Sequence, residues 1–296
     1  MKERKQGRPK TGETESKAWG AAHAGGEACL VHLDQEHPGF RDREYRARRD
    51  VIARIALDYR SGTIPEAPYT AEEHAVWREV WARLGPLHDR WAPRGYLILN
   101  RRLGMSRDRI PQLEDVNQKL RPITGFEMEP VAGLIAPRVF LSYLADAVFL
   151  ATQYVRHHSA PLYTPEPDVI HELVGHAASF TNPMIAELNR AFGRAAQEAD
   201  DTELVALERA YWWTLEFGAL VEEGQVKAFG SGLLSSCGEI AHFATEAELL
   251  SFDIERMAAT GYDPTRYQPQ VFLAPSWEVL YNDLHSWLHD GGWRRR

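Results

Sequence analysis

His171-Glu172-Leu173-Val174-Gly175-His176, followed forty residues on by Glu216 in the run Tyr211-Trp212-Trp213-Thr214-Leu215-Glu216-Phe217-Gly218, governs how the rest of the chain is read. Two imidazoles and one carboxylate can hold one face of an octahedral ferrous ion and leave three positions open, as oxygen activation requires. The near match is the zinc-peptidase pattern His-Glu-x-x-His, whose histidines stand four apart on one helix face. Here the fourth position after His171 is Gly175, and the second histidine comes one step later. At about 100° per residue, a spacing of five turns the second side chain roughly 140° from the first, so a regular α-helix cannot aim both rings at one ion. Gly175, with its permissive backbone, is where the helix is expected to loosen or end so that His176 can swing back. From spacing alone three readings stay open: an iron centre, a zinc hydrolase with Glu172 as general base, and a polar cluster that holds no metal.

Outward from this stretch the chain reads as mostly helix. Thr70-Ala71-Glu72-Glu73 has the form of a capping box, and Trp77, Val80, Trp81 and Leu84 recur at helical spacing until Gly85-Pro86, where the helix is expected to stop. Pro137 suits the first turn of a second helix carrying Phe140, Leu141, Leu144, Val148 and Val155, which is expected to deliver Arg156 at its end. Asp201 can cap a helix in which Leu204, Leu207, Tyr211 and Leu215 share a face, with Glu216 near its C-terminal end. The expected strands are a hairpin from Val221 to Phe229 around Glu223-Gly224 and a segment from Val271 to Leu273, after which Ser276 opens a terminal helix.

Composition bounds the reading. A chain of 296 residues with 44% hydrophobic side chains can bury a sizeable core. A net charge of -8 argues against a nucleic-acid partner, which needs a basic surface. No apolar run approaches the roughly 20 residues that span a bilayer, and the basic start lacks the apolar stretch of a secretory signal, so no membrane partner and a cytoplasmic location are expected. Cys29 and Cys237 are too few for a disulfide framework and read as free thiols. Residues 1–28 carry one large apolar side chain after Met1, Trp19, and read as a disordered N-terminal tail; residues 291–296 read as a C-terminal tail.

Further motifs surround the opening stretch: Gln153-Tyr154-Val155-Arg156-His157 and Tyr163-Thr164-Pro165-Glu166-Pro167-Asp168 before it, and Lys227 to Ser236 after Glu216. In that order and at those spacings they resemble the catalytic domain of the pterin-dependent aromatic amino acid hydroxylases, from about Leu30 to Leu288. The run Leu30 to Arg49, around His37-Pro38-Gly39-Phe40, resembles the short phenylalanine hydroxylases. The resemblance implies an α+β, predominantly α-helical fold with a few short strands, one catalytic domain over 29–290. No heptad pattern follows Leu288 that would match the tetramerisation helix of the animal enzymes, so a monomer is expected.

By the same resemblance His171, His176 and Glu216 are the ligands of Fe(II), and tetrahydrobiopterin or a related tetrahydropterin supplies electrons. Gly133, Ile135, Phe140 and Tyr211 match the pterin wall, and Glu172 matches a catalytic glutamate that faces the pterin, where its oxygens can accept ring N–H donors. Arg156 matches the clamp on the substrate carboxylate, with Asp168 bracing it, and its planar fork suits two parallel bonds. Thr164 and Ser235 match hydroxyls near the substrate backbone, and Trp212, Phe217 and Pro165 match an apolar slot for the ring. Trp213 reads as packing. The departures are Ala177-Ala178-Ser179-Phe180 after the second histidine, Ser231, Cys237 and Leu150, all expected to bear on ring preference and pterin affinity. The implied reaction hydroxylates a free small-molecule aromatic amino acid with O2, L-Phe to L-Tyr first, with tryptophan or another ring position on phenylalanine as the alternative. A zinc hydrolase and a non-catalytic binding protein that keeps the fold are the competing classes.

Overall fold

The computed structural model describes Val31 and residues 33–294, so the tail expected over 1–28 lies outside the described residues. The chain opens on α1 (Arg43–Asp58) and α2 (Ala71–Trp91). The Thr70 hydroxyl accepts from Glu73 N and the Glu73 carboxylate accepts from Thr70 N, closing the capping box on α2. The helix does not stop at Gly85-Pro86 but runs on to Trp91. Pro86 removes one helical hydrogen bond. The buried stripe of Trp77, Val80, Trp81 and Leu84 nevertheless continues through His88, whose Nε2 donates to the Leu234 carbonyl at 2.6 Å, and this packing carries the helix past the proline.

After α3 (Arg94–Leu103) and α4 (Leu113–Thr124) come β1 (Glu127–Val131), α5 (Pro137–Leu144) and β2 (Val148–Thr152). The helix expected to reach Val155 therefore ends at Leu144, and Ala147, at φ 59°, turns the chain into β2. The two strands pair in parallel, Glu127 opposite Val148 through Val131 opposite Thr152. Val148-Phe149-Leu150-Ala151 is buried throughout, and a continuous apolar run fits a buried parallel strand as readily as a buried helix. Arg156 thus follows a strand instead of ending a helix.

A π-helical segment, π1 (His171–Ala177), passes into α6 (Ala178–Phe180) and then α7 (Pro183–Glu198). Asp200, one residue before the expected cap, closes a capping box with Glu203 on α8 (Asp201–Tyr211), which continues into a second π segment, π2 (Trp212–Glu216). The hairpin β3 (Ala219–Glu222) and β4 (Gln225–Ala228) turns at Glu223 and Gly224 as its sequence indicates. Then follow α9 (Ser231–Ser235), α10 (Cys237–Thr245), β5 (Glu248–Ser251), α11 (Ile254–Ala259), β6 (Gln270–Ala274) and α12 (Trp277–His289), the last capped by Ser276. The second sheet has the order β4-β3-β6-β5, with β6 parallel to both neighbours.

One apolar core joins α2 through Trp77, β2 through Phe149, π1 through Leu173, α7 through Phe192 and α12 through Leu284. The packing reaches beyond the expected end of the domain. Trp293, expected in a C-terminal tail, is buried in this core and donates its indole N–H to the Leu288 carbonyl at 3.0 Å. Among the described residues no helix is long and apolar enough to cross a membrane. The architecture is α+β and predominantly helical, with the core wrapped round the two π segments.

Candidate metal centre and active-site cavity

In a π-helix the bonds run from i to i+5, and the wider turn brings residues five apart to neighbouring positions on one face. That is how π1 presents His171 and His176 together, with their Nε2 atoms 3.0 Å apart. The loosening is spread over all of π1 and not confined to Gly175. Gly175 instead permits a close approach. A Cβ there would lie 2.7 Å from the Ser231 carbonyl oxygen, so only glycine lets π1 touch α9. The second π segment ends on Glu216 and closes with Phe217 N donating to Trp212 O at 2.8 Å.

Glu216 Oε1 lies 3.1 Å from His176 Nε2, and Oε2 lies 3.7 Å from His171 Nε2. Two donors bound at about 2.1 Å and at right angles round an ion stand about 3.0 Å apart, so three such atoms fit one face of an octahedron. The Ser235 hydroxyl donates to Ser231 O at 2.7 Å and faces His171 Nδ1 at 2.8 Å. It must therefore accept from Nδ1–H, which leaves the Nε2 lone pair turned to the centre. Burial, with His176 as a cationic neighbour, pushes the His171 imidazole down to about 4, so the ring is neutral as a ligand must be. Burial alone would lower His176 and raise Glu216, but their mutual attraction wins and holds the histidine above and the carboxylate below their usual values.

Glu172 is buried beside the two histidines, with a carboxylate oxygen within 4.8 Å of their ring nitrogens. Its Oε1 accepts from Thr152 N at 3.1 Å and from the Thr152 hydroxyl at 2.9 Å, and burial pushes the carboxyl up to about 7. His171, Glu172, His176 and Glu216 line a cavity of about 750 Å³, within the usual range for small-ligand sites. Gly133, Ile135 and Phe140 form part of its wall with Tyr211, whose ring meets Phe140 edge to face at 5.7 Å. The Tyr211 hydroxyl is taken up by Asn189 Oδ1 at 3.0 Å.

Arg156 reaches the same cavity from a buried position. Its Nε and Nη2 donate to Asp168 at 2.9 and 2.8 Å, and Asp168, fully buried behind it, does not line the cavity. Burial disfavours both charges, yet the pair keeps the guanidinium above and the carboxyl below their usual values. Thr164, Pro165 and Ser235 line the cavity, as do Trp212 and Phe217, whose rings sit 4.5 Å apart. Thr164 Oγ1 donates to the Glu166 carbonyl. Trp213 is buried away from the cavity and donates to Thr260 O, as expected of a packing residue.

Sequence reasoning missed a further wall. Tyr262 stacks on Trp212 at 3.9 Å, Glu239 lines the cavity beside Ser236, and buried Gln268 accepts from Trp212 Nε1 at 3.2 Å. Only Glu239 left a trace in the sequence, as the last residue of the capping-box pattern Ser236-Cys237-Gly238-Glu239. A second cluster of Asp42, His157 and His158 lies apart from the cavity, and there His157 Nε2 is paired with Asp42 Oδ2 at 3.2 Å.

A family model described as biopterin-dependent aromatic amino acid hydroxylase matches residues 28–290. The phenylalanine-4-hydroxylase of Caenorhabditis elegans is 44% identical over 263 residues, 87% of this chain and 58% of that protein. The tyrosine 3-monooxygenase of Bos taurus is 43% identical over 261 residues, 86% of this chain and 53% of that protein. The chain thus spans little more than half the length of these relatives. Among solved structures, Chromobacterium violaceum phenylalanine hydroxylase with bound iron(III) and 7,8-dihydrobiopterin is similar, with a TM-score of 0.72 and 30% identity over 80% of this chain and 90% of that one. By family, therefore, the chain belongs to the biopterin-dependent aromatic amino acid hydroxylases.

Proposed function

We propose that the protein is an iron- and tetrahydropterin-dependent monooxygenase that converts L-phenylalanine to L-tyrosine with O2. The observation that carries this reading is the convergence of His171 Nε2, His176 Nε2 and Glu216 on one point at the edge of a cavity that also contains Arg156. The donor set suits a ferrous ion with three open positions, and two imidazoles with one carboxylate differ from the four-ligand, cysteine-containing sets of closed structural zinc sites. A bound ferrous ion and tetrahydropterin would together supply the electrons and the activated oxygen that insert into the ring.

The chain's own residues do the positioning. Ser235 fixes the His171 tautomer. Glu172, held by Thr152 and with a carboxyl near neutrality, can accept a pterin N–H or hold a proton beside it. Gly133, Ile135 and Phe140 offer the flat apolar wall for that ring. Arg156, with Nε and Nη2 committed to Asp168, keeps Nη1 for the substrate carboxylate, while Thr164, its hydroxyl hydrogen given to Glu166 O, leaves only oxygen lone pairs for the substrate. Trp212, Phe217 and Pro165 exclude water from the aromatic side chain.

Phenylalanine is preferred because the similar bacterial structures are phenylalanine hydroxylases, while tyrosine 3-monooxygenases among the relatives make tyrosine the second substrate to test. The deciding assay loads purified protein with Fe(II), adds L-Phe, L-Tyr or L-Trp with and without tetrahydropterin, and identifies the products. Tyrosine formed from phenylalanine only with pterin is the expected result. Stoichiometric zinc with pterin-independent hydrolysis would overturn it. Glu216→Ala should lose iron affinity by at least about tenfold and abolish iron-supported turnover.

A further inference from the structure

We propose that Glu239 is the receptor for the ammonium group of the amino-acid substrate, while Arg156 takes its carboxylate. The inference rests on the function proposed above and adds a site that the sequence resemblance did not indicate.

The starting point is an incomplete cap. Thr70 with Glu73 and Asp200 with Glu203 close both halves of their capping boxes. At α10 only the first half forms: Glu239 N donates to Ser236 Oγ at 3.2 Å. The Glu239 carboxylate turns away from the helix end and lines the cavity. There Oε2 accepts from Gln268 N at 3.2 Å, the one hydrogen bond its side chain makes among the described residues. The residue is 9% exposed. Burial pushes its carboxyl up to about 7, opposed by that single backbone bond and by no cation among the described residues. A carboxylate in this position lacks a counter-charge and further donors, and a primary ammonium supplies the two together.

The surroundings select the substrate. Gln268 N holds Glu239, and Gln268 Oε1 accepts from Trp212 Nε1, so the carboxylate is tied to the proposed ring slot. The same amide donates to Asp263 O and Arg266 O at 3.0 and 2.8 Å, which fixes the loop that carries it. Ser235 and Ser236, just ahead of α10, line the cavity with Arg156. The carboxylate that clusters with the ring nitrogens of His171 and His176 on their own segment is Glu172, and Glu239 is not part of that cluster. An α-amino acid whose carboxylate lies on Arg156 and whose ring lies against Trp212 has one charged group left to place.

The test compares L-phenylalanine with 3-phenylpropanoate, which keeps the ring and carboxylate and lacks the amine, by calorimetric binding to the iron- and pterin-loaded protein. The native protein should prefer L-phenylalanine by about ten- to a hundredfold. Glu239→Gln should lose that preference, with 3-phenylpropanoate affinity changed by less than about twofold, and Glu239→Asp should recover part of it. In turnover KM for L-phenylalanine should rise more than kcat falls. Equal affinity of the native protein for the two ligands overturns the proposal without need of any variant, and so does a Glu239→Gln protein that weakens both alike or keeps the preference. A native protein that neither binds nor hydroxylates any aromatic amino acid overturns the function reading, and this inference with it.

Discussion

At position 175 one methyl group decides whether π1 can lie on α9. An alanine Cβ would meet Ser231 O at 2.7 Å and Ser231 Cβ at 3.0 Å, so α9 has to move, and α9 carries the Ser235 hydroxyl that orients His171. Gly175→Ala should therefore cost about 1–3 kcal/mol in stability through overpacking. Iron affinity should fall by about tenfold or more because the ligand's hydrogen-bond partner shifts. Denaturation and metal titration measure the two effects separately, and an unchanged iron affinity would break the link between Gly175 and the centre. Gly95→Ala in α3, where an added Cβ meets nothing within 4 Å, is the matched control. The triad itself was legible because its residues come in short linear motifs whose chemistry is specific. The reason for Gly175 was not, since its contact with Ser231 exists only after the chain has folded back.

Among elements, those that announce their own ends could be read from the sequence. Thr70 with Glu73, Ser276 ahead of α12 and Glu223-Gly224 in the hairpin all carry local hydrogen-bond or dihedral signals. β1, β2 and β5 carry none: β2 is an unbroken apolar run, β1 contains Pro130, and β5 is only four residues long. What makes each a strand is its neighbour, Val148 opposite Glu127 or Leu249 opposite Val271. π1 was legible only as a conflict between a five-residue spacing and a regular helix, and π2, expected as the end of a regular helix, left no such sign. The hairpin also offers a direct test of local strain. Glu223 sits at φ 51° and Gly224 at φ 76°, values that favour Asn-Gly in a two-residue turn. Glu223→Asn should stabilise the protein by about 0.5–1 kcal/mol and raise its thermal midpoint by about 1–3 °C. A lower midpoint would show that Glu223 makes a contact worth more than the strain.

For the whole molecule the acid limb of stability should carry the mark of His88. Burial pushes its imidazole from 6.5 down to about 4, although its bond to Leu234 O works the other way. As pH falls through 6.5 the unfolded chain takes up a proton that the native chain refuses until about 4, so stability is lost across that window. The loss should be on the order of 2 kcal/mol for this one group. His88→Gln keeps a donor for Leu234 O and removes the charge, so its unfolding free energy should fall less than that of the native protein between pH 7 and pH 4.5. Parallel urea titrations measure the difference, and identical slopes would rule His88 out. The parallel pairing of β1 with β2 has a consequence of another kind. Chain leaving β1 reaches Gly133 and Ile135, while chain leaving β2 reaches Arg156 within four residues of Thr152, and Val131 lies opposite Thr152 in the register. In the proposed reaction the reductant and the amino acid are thus gauged from the same end of one ribbon, whose outer edge Asn117 clasps at Met128 N and O. Slack in those few backbone bonds would alter the spacing of both guests at once, and Val131, Phe149, Leu150 and Thr152 of the two strands themselves line the cavity, so the yield of hydroxylated ring per reductant consumed would depend on how firmly the strands pair.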